Sequence, residues 1–488
     1  VGSRQNINAN GTANSAPVAG PSLDNLLVVE KQVNDPIHIQ VGLDKLSVRI
    51  IDTPEYQRLR HLKQLGTCSY VWPTAGHTRF EHSLGVAHLS ERMCKTLQEN
   101  QPEIGITNVD ILAVKIAGLC HDLGHGPFSH VYDGVFIPKM YPDKSHGWRH
   151  EDGSVNMFRY ILKTHNIDLG QYGLSPLDQT FIEEIIGGEP ESTRTGRAPD
   201  KFYLYDVVNN TRSGFDVDKL DYFQRDMRYT NVTFAANFER FITLGRVIRA
   251  EPVEQKDGRR YGTSFKRHHS GGWVTSQDGD KDGVPSPASA SQDNVQQQSD
   301  DGVYQLMVCY PQKLVFEAFD MFSVRFRMHK TVYTHKAAKQ IEFMITDILE
   351  KANEYIKIKG ARSERFPDGL YKISECIYDM EALSNLNDSV IEAIRYDQNP
   401  KLAPAKAILK RMEQRKLYVC LGKSAYTRED MEKKGGKKSE HLITQEIVNI
   451  SKKLASGFYE GTRAADANSG YDQSNDFINS DLELLEGE

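Results

Sequence analysis

Four side chains of this sequence could share a divalent cation: His82, His121, Asp122 and Asp218. Two imidazole nitrogens and two carboxylates form a mixed set that suits Fe, Zn, Mn or Mg without selecting among them. His121 and Asp122 open the run LCHDLGHGPFSH, which also carries His125 and His130. An apolar lead-in from Ile111 to Leu119 precedes the pair, so these ionisable groups end a buried helix. Charged and imidazole groups are costly there unless paired or metal-bound. With four protein ligands, an octahedral ion keeps positions for water and a phosphate oxygen, which is what metal-assisted phosphoester hydrolysis needs.

The elements that must position these groups read as helices. EHSLGVAHLSERMCKTLQEN (81–100) carries His82, VDILAVKIAGLC (109–120) leads to His121, and DVDKLDYFQRDM (216–227) carries Asp218. Further helical patterns are YQRLRHLKQLG (56–66) and the long stretch 316–356. From Leu26 to Ala250 the signals are helical, strands are few, and no internal repeat is found. The expected fold is mainly α, with a small mixed α/β C-terminal region. The chain divides into a disordered leader (1–24), a catalytic body (25–250 plus 303–456), a polar low-complexity insertion (251–302) and an acidic tail (457–488).

The bulk properties exclude several classes. A net charge of −6 over 488 residues creates no global field for nucleic acid or membrane. No apolar run approaches the roughly 18 residues of a membrane span, and the N-terminus lacks the regions of a signal peptide. Six scattered cysteines with no CxxC favour reduced thiols, hence the nucleus or cytoplasm.

The order H…HD…D from three helices is the metal signature of the HD phosphohydrolases. The segments NDPIH, VRIIDTP, QRLR, KQLG, RFEHSLGV, IAGLCHDLGHGPFSH, DVDKLDYFQRD and DMF carry the likeness further. Over residues 28–250 and 303–450 the chain resembles the eukaryotic sterile-alpha-motif and HD-domain deoxynucleoside triphosphate triphosphohydrolases. The expectation is that the sterile-alpha-motif domain is absent here. The resemblance implies cleavage of a dNTP between its 5′ oxygen and Pα, giving deoxynucleoside and intact triphosphate.

Residue roles follow from matched positions. His130 is the implied general acid for the leaving alkoxide, with His150 and His125 in the same pocket. Arg79, Lys219 and Arg325 match phosphate-binding positions. Tyr333 and Leu65 match the floor that leaves no room for a 2′-hydroxyl, Gln64 and Asp226 match positions holding the 3′-hydroxyl, and Tyr222 lines the pocket. Thr334 stands where the family commonly has Gln, so base preference is expected to differ.

The resemblance also implies a guanine nucleotide activator, GTP or dGTP, and a homo-oligomer, dimer or tetramer. Asp52 and Gln57 match guanine-reading positions, Lys31, Arg58 and Arg60 phosphate positions, and Val71 and Trp72 apolar neighbours. Arg240, Lys313, Lys336 and Arg415 match a neighbouring activator site. There the pattern departs: Pro311 replaces an Arg and Glu317 an Asn, and a carboxylate repels phosphate. Beyond about residue 456 the chain also leaves the family pattern. Loosened activator control is therefore expected. The alternatives are another HD nucleotidase or phosphodiesterase, or a single-stranded nucleic-acid binding protein using KRHH (266–269) and KKGGKK (433–438).

Overall fold

A computed structural model describes residues 25–143, 147–233, 238–250 and 305–419. The expected leader, insertion and acidic tail lie outside the described residues, as do KRHH and KKGGKK.

The described chain opens on a hairpin where helix was expected. Strands β1 (Val29–Asp35) and β2 (Ile39–Asp44) pair antiparallel, with Asp35 opposite Ile39. Asp35 Oδ1 accepts the backbone N–H groups of Ile37 and His38, both at 2.8 Å. This is the local turn that an Asp-Pro pair favours. Asp44 then caps α1 (Lys45–Ile51) by accepting from the Ser47 N–H.

Two long helices form the centre. Helix α2 (Arg79–Asn100) starts at a capping box between Thr78 and Glu81, and α3 (Asn108–Cys120) at one between Thr107 and Asp110. Helix α3 is buried on every side: Ile111, Val114, Ile116, Ala117 and Leu119 are fully buried, and its buried cation, Lys115, is ion-paired with Asp44 and Glu91. A helix of that kind belongs in the middle of a core, and each buried Leu or Ile contributes roughly 1.5–3 kcal/mol. Helices α2, α4 (His150–Thr164) and α5 (Pro176–Gly187) pack around it, and α6 (Val217–Thr230) lies against α2.

The expected helix over 56–66 is cut short. Only Pro54–Gln57 is α-helical, followed by a 3-10 turn at Arg58–His61. The chain then runs alongside the segment before α2: Arg79 N–H donates to Leu62 O and Gln64 N–H to His77 O. These cross-chain bonds take the place of a continued helical ladder.

Strands β3 (Arg246–Ala250) and β4 (Gln305–Cys309) form a second antiparallel pair. Helix α7 (Val315–Met328) passes through a π-type turn, His329–Tyr333, into α8 (Lys336–Ala352). Helix α8 and α9 (Ala403–Glu413) build a second apolar core, which also takes in Phe128, Val131, Tyr132, Phe136 and Ile137. The segment after Asp122 is thus wedged between two cores. The C-terminal region has one strand pair, β5 (Ile358–Lys359) with β6 (Leu370–Tyr371), and is otherwise helical or irregular. Among the described residues the fold is mainly α, as the sequence patterns indicate.

Candidate active site and metal centre

His82 lies on the first turn of α2, His121 caps the C-terminus of α3, and Asp218 sits in the first turn of α6. Their side chains converge. His82 Nε2 is 3.0 Å from Asp218 Oδ1 and 3.7 Å from Asp122 Oδ2. His121 Nε2 is 3.5 Å from Asp122 Oδ1 and 3.6 Å from Asp218 Oδ1.

The other ring nitrogens decide the tautomers. His82 Nδ1 donates to Asp221 Oδ2 at 2.8 Å, and His121 Nδ1 donates to Gly118 O at 2.8 Å. Each ring therefore turns Nε2 inward, the orientation a metal-ligating imidazole needs. On donor chemistry and orientation the four residues fit a divalent cation, and His82, His121 and Asp122 by themselves form a cluster of ligand spacing.

Without a cation, protons balance the carboxylates. Burial alone pushes the His82 imidazole down, yet Asp218, Asp221 and Asp122 hold it up, to about 10. Burial works against ionising Asp122, but Arg79, His121 and His125 hold it well below the usual carboxylate range. Asp218 is likewise held low against its burial by His121 and His82. A cation would displace these protons, so metal uptake is coupled to proton release.

A second cluster adjoins the first. The His125 and His150 rings stack with centroids 4.1 Å apart, and His130 stands edge-on to both. Asp133 accepts from His150 Nδ1 at 2.8 Å and faces His130 Nδ1 at 3.4 Å. Burial, with the Arg79 and His150 charges, pushes His125 well below the usual imidazole range, so it is neutral. Burial lowers His150, but Asp133 more than offsets this and raises it.

Both clusters open into one cavity of about 630 Å³. Its lining also includes Gln64, Leu65, Arg79, Lys219, Tyr222, Asp226, Arg325 and Tyr333, every residue matched above to substrate. The HD family model matches residues 79–226. The chain carries an HD domain. Its relatives include the deoxynucleoside triphosphate triphosphohydrolase SAMHD1 of Homo sapiens, 40% identical over 407 residues, covering 81% of this chain and 56% of that protein. SAMHD1 of Mus musculus is 38% identical over 413 residues, 83% of this chain and 56% of the relative. The SAMHD1 homolog of Dictyostelium discoideum is 32% identical over 388 residues, 80% and 59% respectively. The chain spans about half the length of the curated relatives it matches.

Around the cavity several side chains already have partners. Buried Arg79 donates through Nη1 to Asp122 and through Nε to Ser129 Oγ, so it braces a metal ligand. Lys219 Nζ is 2.8 Å from Asp216 Oδ2. Tyr333 OH donates to Asp226 Oδ2 at 2.6 Å, and His77 Nε2 donates to Oδ1 of the same carboxylate at 2.8 Å. Gln64 Oε1 is buried with no partner, an acceptor lying beside the cavity. Thr334 turns its hydroxyl back to His329 O and does not line the cavity.

The backbone before His130 is strained. Phe128 and Ser129 both have positive φ, 59° and 57°, a conformation uncommon for residues other than glycine. Asp388 Oδ1 accepts the Phe128 N–H at 2.7 Å, and Ser129 Oγ donates to Lys63 O at 2.7 Å. Asp388 comes from far along the chain and carries no local signal. Asp133 and Asp221 were also missed. Asp133 could have been found as the carboxylate three residues after His130 in HVYD, and Asp221 as the one following Asp218 on the same helix.

The expected regulatory residues divide. Lys31 Nζ pairs with Asp52 Oδ2 at 3.4 Å on the surface. Arg60 Nε donates to Gln57 Oε1 at 2.7 Å and lies over the Phe80 ring. Arg58 does not take the phosphate-binding role expected of it. It is buried and donates to the carbonyls of Leu386, Leu123 and His125, so no phosphate can reach it. Val71 and Trp72 are half-buried, Trp72 edge-on to His335. Lys313, Lys336 and Arg415 are exposed. Arg240 is ion-paired with Glu317, so the residue expected to repel phosphate also neutralises a neighbouring cation.

Proposed function

We propose that this chain is a metal-dependent dNTP triphosphohydrolase, releasing deoxynucleoside and intact triphosphate. The observation that carries the reading is the single cavity in which the four ligand residues, the histidine cluster and the Tyr333–Asp226 pair share one lining. A divalent cation, Fe, Zn, Mn or Mg, held by His82, His121, Asp122 and Asp218 would supply Lewis acidity at Pα and activate water.

The chain's own residues do the rest. His130, next to Asp133, delivers a proton to the leaving 5′ oxygen, with His150 and neutral His125 beside it. Arg325 and Lys219 offset the triphosphate charge, while Arg79 keeps Asp122 ionised and oriented. Gln64 Oε1 accepts from the 3′-hydroxyl. Leu65 and Tyr333, the latter anchored by Asp226, close the floor beneath C2′.

Regulation belongs to the same reading. GTP or dGTP would bind over Lys31, Asp52, Gln57 and Arg60, with Lys313, Lys336 and Arg415 toward a second nucleotide and a homo-oligomer, dimer or tetramer, as the assembled state. The enzyme would work in the nucleus or cytoplasm. Among the described residues no helix is long and apolar enough to cross a membrane.

The test is the phosphorus product. Metal-loaded protein is incubated with dGTP, and with dATP with and without GTP, and followed by ³¹P NMR. Intact triphosphate is expected, and GTP-dependent cleavage of dATP would mark a working activator site. Orthophosphate or a nucleoside monophosphate would instead assign another HD nucleotidase or phosphodiesterase.

A further inference from the structure

Behind the ligand His82 lies a buried circuit that the chemistry above does not use. Asp221, fully buried, accepts from His82 Nδ1. Its two oxygens also receive Arg225 Nε and Nη2, each at 2.9 Å, and His38 Nε2 at 2.7 Å. Arg225 Nη1 reaches Asp35 Oδ2 at 2.8 Å. The other oxygen of Asp35 holds the amides of Ile37 and His38. The loop is therefore closed, running from Asp35 through the hairpin turn to His38, Asp221, Arg225 and back.

Two features show that the backbone is shaped around this circuit. Gly85 lies one turn beyond His82 on α2. A Cβ there would stand 1.9 Å from Asp221 Oδ1 and 2.5 Å from Arg225 Nη2. Only glycine lets the carboxylate come up beside the helix that carries the ligand. At the hairpin, Ile39 has φ 65° although it is β-branched and exposed. A β-branched residue holds such a conformation only where its surroundings over-determine it. The His38 contact, one residue earlier, is such a constraint.

We propose that Asp221 is the positioning carboxylate of the metal centre and that His38 completes it, coupling cation occupancy to docking of the N-terminal hairpin turn. Asp221 fixes the tautomer and ring plane of His82, and partners of this type change metal affinity about 10–100-fold when removed. His38 does not touch the cation. It holds Asp221 through Oδ1 while His82 is held through Oδ2, so its loss leaves the carboxylate freer to turn and relaxes the ligand. By linkage, whatever the docked turn adds to metal affinity, the metal adds to the docking of the turn.

The proposal rests on the metal reading of the four ligands, and the experiment separates the two. The metal-free whole chain is titrated with Co²⁺ against a competing chelator, reading Kd and the d–d absorption bands. His38→Leu removes the donor to Asp221, and His38→Gln keeps a nitrogen donor there. Expected are about tenfold weaker Co²⁺ binding with altered d–d bands for His38→Leu, and recovery to within about threefold for His38→Gln. Hydrogen exchange of the amides at 37 and 38 in the wild type is expected to slow on adding Co²⁺. Wild-type Kd and bands in folded His38→Leu would overturn the proposal, as would His38→Gln binding no better than His38→Leu. Should His38→Leu fail to fold, wild-type exchange decides: protection unchanged by Co²⁺ overturns the coupling. A wild type that binds no Co²⁺ at all would overturn the metal reading itself, and this proposal with it.

Discussion

Replacing Arg58 by Met tests whether this guanidinium is a ligand group or a structural one. In the native chain it donates to Leu386 O at 2.7 Å, to Leu123 O at 3.1 Å and to His125 O. It thereby joins the segment carrying the histidine cluster to the C-terminal core. Met keeps the length of the stem but no donor. Each buried carbonyl left without a partner costs roughly 1–3 kcal/mol, so three amount to about 3–9 kcal/mol. Part of this is returned, because burial already pushes the Arg58 guanidinium down to about 10, and a neutral side chain escapes that penalty of about 3 kcal/mol. The net expectation is a loss of up to roughly 6 kcal/mol, centred near 3, read as a lower urea midpoint at unchanged slope. Basal dNTP cleavage should fall in step, with or without guanine nucleotide, because Leu123 and His125 flank the site. If the variant instead kept its urea midpoint and lost only its response to GTP, Arg58 would be a phosphate ligand after all and the burial argument would fail.

Asp218→Ala should lose bound metal and activity together; full activity in a metal-depleted Asp218→Ala protein, with metal counted by elemental analysis, would remove this centre from the chemistry. Tyr333→Ala opens the floor beneath C2′, so the ratio of kcat/KM for dGTP over GTP should drop at least tenfold, and an unchanged ratio would remove its assigned role. Asp206 is buried away from the metal ligands, and burial raises its carboxyl to about 6. A raised folded-state value means that its protonated form favours folding below the unfolded value near 4, and that this contribution is lost as pH rises through 6. Asp206→Asn should therefore gain stability relative to the wild type as pH rises from about 4 to about 6, and the difference should level off above about pH 7. Parallel pH dependence of the two urea midpoints would show that Asp206 titrates normally.

The metal ligands were legible because their types are rare at the ends of apolar helices and their order along three helices is specific. The long helices α2, α3 and α6 were legible from periodicity. What stayed hidden depends on contacts across the chain. His38 meets Asp221 at a sequence separation of 183 residues, and no local pattern marks His38 as its partner. Arg58 and Arg60 look alike in QRLRHLK, but the 3-10 turn points one inward and the other outward. The N-terminal hairpin was missed because β1 is exposed on both faces along most of its length and shows no alternation. Its one signal was the Asp-Pro turn.

The register of β3 and β4 sets where this protein tolerates change. Ala250 pairs with Gln305, so the chain re-enters the body beside the point at which it left. The connection between those two residues is tethered at both ends to one short ladder, and neither residue lines the cavity. Loop closure adds only about 0.6 kcal/mol for each doubling of length, so the length of the connection weighs little on this ladder. Joining Ala250 to Gln305 through a two-residue Asn-Gly turn should therefore leave the pairing of β3 with β4 intact.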